Sequence, residues 1–90
     1  MTDSIIAQIN EFIFRVIEKS DESNAYREIR VLKELTKISN LVAQNKYTEA
    51  SDAIHKLLGS YDGQSVFTAT TARQLAQVSG RCGARAKFAA

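Results

Sequence analysis

From Ile5 to Leu58 the apolar residues recur every three or four positions, a period of 3.6 rather than 2, so this stretch reads as helix. Two polar clusters, Ser20-Asp21-Glu22-Ser23-Asn24 and Gln44-Asn45-Lys46, divide it into three segments of helical length. The first helix is predicted over residues 3–19, with Thr2 or Asp3 as N-cap. Its Ile5, Ile9, Phe12 and Val16 form a stripe, and Ile6, Ile13 and Ile17 widen it to an arc of about 140°. Glu11 and Arg15 form an i,i+4 pair beside it. The second helix, over 23–43, carries one stripe of Val31, Leu35, Ile38 and Val42. A second stripe, Ala25, Ile29, Leu32 and Ala43, implies two neighbours and a central position. The third, over 47–58, gathers Tyr47, Ala50, Ala53, Ile54, Leu57 and Leu58 on one face. Gly59 is placed where a C′ residue with positive φ is wanted.

The last third has a different texture. All four glycines (Gly59, Gly63, Gly80, Gly83) lie there, and no proline occurs anywhere. Ser60-Tyr61-Asp62-Gly63-Gln64 has the composition of a turn. A fourth, short helix is expected over about 70–79, ended by Gly80, with residues 81–90 loosely held. The pattern is all-α: a small bundle of three amphipathic helices, a short C-terminal helix and a basic, glycine- and arginine-containing tail.

Two local likenesses accompany this pattern. The run from Asn45 to Leu58 looks like the second helix of a tetratricopeptide hairpin, but no repeat of about 34 residues is present. Thr71 to Gly80 resembles the opening half of a helix-turn-helix, with Ala76 and Gly80 at the required spacing. The second half departs from that pattern: Arg81 follows the turn glycine and Gly83 would lie inside the recognition helix.

Charge divides the chain near the same place as glycine. Residues 1–62 hold eight Lys and Arg against ten Asp and Glu, a net −2. Residues 63–90 hold Arg73, Arg81, Arg85 and Lys87 with no acid, a net +4. An acidic helical body followed by a basic segment raises nucleic acid as a partner, held through phosphates by those four cations. Alternatively, the segment folds back on the acidic body. A small anionic ligand at the arginine-rich end of a dimer also stays open on the sequence alone.

Catalytic and metal chemistry is thin. His55 is the one histidine, and Ser51, Asp52 and His55 are expected to project from one exposed helix face with no wall to exclude water. Cys82 is the one cysteine, so no internal disulfide forms. It is expected in the mobile tail, with Arg81 and Arg85 beside it. No cofactor motif, metal-ligand set or apolar run of membrane-spanning length occurs, and the N-terminus has no basic region of a signal peptide. The expectation is a cytoplasmic, non-enzymatic protein without cofactor, metal or membrane.

Surface matching points toward protein partners. Phe14 falls about 60° outside the apolar arc of its helix, and Tyr26 and Leu41 fall on the polar side of theirs, near Arg30, Lys33 and Lys37. The first two helices also carry more apolar surface than the third can cover. The leading expectation is a regulatory or adaptor protein, an inhibitor or assembly factor. It would be dimeric and would bind a protein partner through Phe14, Tyr26 and Leu41.

Overall fold

The computed structural model describes residues 4–18 and 25–89. Five helices follow in order: α1 (Ser4–Glu18), α2 (Ala25–Ala43), α3 (Tyr47–Gly59), α4 (Tyr61–Val66) and α5 (Ala69–Ala89), with no strand among the described residues. The all-α reading therefore holds. The expected N-caps Thr2 and Asp3, and the outer ends of the first two helices, lie outside the described residues.

Each long helix turns the stripe its sequence periodicity marks toward one core. α1 contributes Ile5, Ile9, Phe12 and Val16, and α2 contributes Val31, Leu35, Ile38 and Val42. Ala50, Ile54 and Leu57 come from α3; Leu75, Val78 and Cys82 come from α5. Full burial of one such aliphatic side chain stabilises by roughly 1.5–3 kcal/mol, which is why these stripes override the modest helix propensity of Ile and Val. α1 packs between α2 and α5, and α3 packs between α2 and α5 on the opposite side, so four helices close a ring. Side-chain pairs fix the directions. Arg15 meets Gln74 while Arg81 meets Ser4, and Ser51 meets Ser79 while Arg85 meets Tyr47, so α5 runs antiparallel to both α1 and α3. The bundle measures 43 × 27 × 19 Å.

The C-terminal third departs most from expectation. The short helix expected over 70–79 is a helix of 21 residues that runs straight through Gly80 and Gly83. Each glycine costs about 1 kcal/mol relative to Ala, but Leu75, Val78, Ser79 and Cys82 are almost wholly buried along the same helix. That burial outweighs two glycines. Residues 81–87 are accordingly not a loose tail: Arg81 bonds Ser4 Oγ at 2.6 Å and Gln8 Oε1, and Arg85 lies 5.7 Å from the Tyr47 ring centre. Cys82 is a core residue. The helix-turn-helix likeness fails, because the chain makes no turn at Gly80.

The turn expected at 60–64 is also helical. Ser60 has extended backbone; its Oγ accepts from Gly63 N at 3.0 Å and donates to the Leu57 carbonyl at 2.6 Å, ending α3 and opening α4 together. A Cβ at Gly63 would overlap the Leu57 carbonyl oxygen, so glycine is needed there for close approach rather than for positive φ. Gly59, expected to supply a positive φ, does not; Asn45 does, at φ 61°. Lys46 N donates to Leu41 O at 2.8 Å and Asn45 N to Val42 O at 3.0 Å, the paired bonds of a Schellman ending with Asn in the usual glycine place.

Candidate functional site

The α1–α2 side carries the first exposed apolar surface. One flank of α1 faces α5, since Gln8 and Arg15 bond Arg81 and Gln74. The opposite flank, with Ile6, Ile13 and Ile17, therefore faces α2. Val16 of α1 and Glu28 of α2 line one small hollow, which fixes the level at which the two helices meet. Ile17 of α1 and Ile29 of α2 stand about half exposed, and Phe14, one turn before Ile17, is 65% exposed. Ile13 and Leu32 continue the patch inward onto the core. Phe67 and Leu75 of the C-terminal segment go into the core and do not cover Phe14.

Phe14, Tyr26 and Leu41 do not share one face. Tyr26 is 82% exposed on α2, about 60° around the helix from Ile29 and about 40° from Arg30. Leu41 is half-buried, packed on the core from the α2–α3 side, and lines a hollow with Ala53. Periodicity placed both Tyr26 and Leu41 on the polar side of α2; Tyr26 is exposed there, whereas Leu41 packs on the core, because periodicity carries no information about the helix that it meets.

The four basic residues of the last segment are likewise dispersed. Arg73 and Lys87 are exposed, while Arg81 is committed to α1 and the half-buried Arg85 lies against Tyr47 of α3.

A third surface was not singled out from the sequence. Between α2 and α3 runs a groove of about 460 Å³, lined by Arg30, Lys33, Glu34 and Lys37 of α2, by Lys56 of α3, and by Asp62 of α4. Arg30 is held across it: Nε to Asp62 Oδ2 at 2.8 Å and Nη2 to Asp62 Oδ1 at 3.1 Å. This fork-on-carboxylate contact holds the Arg30 guanidinium still further above its ordinary value. Arg27 donates to Tyr61 Oη at 3.1 Å and stacks 4.6 Å from its ring centre, so both arginines fasten α4 to α2. The 4, 3, 4 spacing of Tyr26, Arg30, Lys33 and Lys37 is the sequence signal for a basic stripe, although it does not reveal Lys56 across the groove.

The residues with catalytic potential separate. His55 and Asp52 are exposed, but Ser51 does not stand beside them in solvent. It is half-buried, and its hydroxyl lies 2.9 Å from that of the buried Ser79, in the α3–α5 seam. Among the described residues no three His, Cys, Asp or Glu gather as a metal site, and no helix is long and apolar enough to cross a membrane. No protein-family model matches the chain, and no match was found among curated proteins or solved structures.

Proposed function

We propose that this protein is a non-enzymatic helical interaction module, a small regulator or adaptor. It buries the Phe14–Ile17–Ile29 face against another protein and, in isolation, against a second copy of itself. The observation that carries this reading is Phe14, an aromatic ring 65% exposed one turn from the half-exposed Ile17, with a further half-exposed isoleucine, Ile29, on the neighbouring helix. A ring of that size has a large apolar area to bury, and most of it lies uncovered. Two such faces related by a two-fold axis are self-complementary, which makes a second copy the simplest occupant.

Several cytoplasmic roles are compatible with such a module, inhibition and assembly among them. The nucleic-acid reading of Arg73, Arg81, Arg85 and Lys87 has less support, because two of the four already hold α5 to its neighbours.

Light scattering and thermal melting of the Phe14→Ser variant test the proposal. The melting midpoint should stay within a few degrees of the parent while the associated species dissociates. A midpoint lowered by the amount typical of a core deletion, or an unchanged mass distribution, would overturn it.

A further inference from the structure

The Phe14–Ile17–Ile29 face carries charge along its two long edges, and the two signs differ. We infer that the second copy covering this face lies with its α2 along α1 and its α1 along α2, so that Glu11 of each copy meets Lys33 of the other. The inference rests on the reading of this face as the interface and adds how the partner copy lies on it.

The edges follow from the helical period. Around α1, Phe14 stands about 60° beyond Ile17 on the side away from α2, and the exposed Glu18 and Glu11 follow about 40° and 60° further on. Around α2, Leu41 marks the side of α3, where it lines a hollow with Ala53, and Leu32 lies across the buried stripe, toward α1. The exposed Ile29 follows Leu32 by about 60°, and the exposed Lys33 follows Ile29 by about 40°. Acid therefore borders the face on α1 and a base borders it on α2. Glu11 lies 3.8 Å from Arg15 in an exposed i,i+4 pair, which holds it only weakly. Neither Glu18 nor Lys33 forms an ion pair with a described residue.

The edges are also in register. Both α1 and α3 oppose α5, and α2 reverses into α3 through residues 44–46, so α1 and α2 run antiparallel. Val16 and Glu28 line one hollow and so share a level along the pair. Five residues back along α1 is Glu11, and five residues forward along α2 is Lys33. Both stand about 7.5 Å from that level in the same direction. By the same count Phe14 is level with Arg30, one residue from Ile29.

Two identical faces pair about a two-fold axis between them. An axis along the helices keeps every level and exchanges the edges, which sets Glu11 against Lys33 twice and Phe14 over Ile29. An axis across the helices lays α1 on α1 and α2 on α2, acid on acid and base on base, and like-charge juxtaposition opposes it. Charge selects the first. The same axis brings Glu18 level with Tyr26 of the second copy, whose exposed hydroxyl then has a carboxylate to donate to. An unrelated protein would have to reproduce both edges in this register, whereas a second copy has them by symmetry.

Sedimentation equilibrium of the full chain and four variants tests this. Glu11→Lys and Lys33→Glu should each weaken self-association at least about threefold, since each turns two attractive contacts into repulsive ones. The chain carrying both substitutions should recover the parent's dissociation constant, because each reversed charge then faces the other. Phe14→Ser should disperse the dimer. Glu11 and Lys33 are exposed, so their variants should keep the parent's circular dichroism spectrum. Dimers that Phe14→Ser disperses but neither single charge reversal weakens would overturn the arrangement and leave the face as the interface. A parent chain that stays monomeric, or dimers indifferent to Phe14→Ser, would overturn both.

Discussion

Asn45 occupies the left-handed backbone region, where a side chain is normally a liability and Asn is tolerated for its local hydrogen bonding. Asn45→Gly should therefore leave stability unchanged or raise it by up to about 1 kcal/mol, while Asn45→Val should lower it by about 1–2 kcal/mol. Thermal melts resolve such changes, since about 1 kcal/mol moves the midpoint of a domain this size by roughly 4–8 °C. Ser60→Ala removes the oxygen that caps α4 and should cost about 1 kcal/mol. Gly63→Ala should cost more, because its Cβ meets backbone, which cannot swing aside as a side chain can. The sequence located these punctuation marks but misassigned their roles. A glycine declares that something is permitted, and only the surrounding chain decides whether φ, close approach or neither is used.

Helices α1, α2 and α3 were legible because their stripes repeat over several turns, and periodicity needs no tertiary information. α5 was misread for the opposite reason. Two glycines within four residues suggest an end, whereas the stripe that overrides them has only Leu75, Val78, Ser79 and Cys82, one of them a serine. Ser79 becomes tolerable only because Ser51 of α3 meets its hydroxyl, a partner that no local window contains. Gly80 and Gly83 have no atom within 4 Å of where a Cβ would stand. Gly80→Ala and Gly83→Ala should each stabilise the bundle by about 0.4–1 kcal/mol, read as a raised denaturant midpoint. A lowered midpoint in either variant would mean that the glycine serves a close approach. The same long-range dependence explains the groove: the α2 lysines are visible in sequence, and their meeting with Lys56 is not.

At the scale of the molecule, the apolar excess of α1 that suggested a missing partner is covered in part by α5, which packs on α1 and α3. The compositional divide at residues 62–63 falls inside α4, so charge and glycine content change where the packing does not. Leu75→Ala should then cost about 2–5 kcal/mol, and a chain truncated after Gly63 should lose cooperative unfolding, since α1 and α3 would each expose a core face. What remains outside after α5 has docked is the Phe14–Ile17–Ile29 face, and the functional proposal rests on that remainder. Carbene footprinting of the full chain at low and high concentration tests it most directly. Label on Phe14, Ile17 and Ile29 should fall as the chain associates, while label on Tyr61, which stands against Arg27, stays constant. Equal labelling of Phe14 at every concentration, in a chain whose mass nevertheless rises, would place the interface elsewhere; equal labelling with a constant monomer mass would remove the self-pairing altogether.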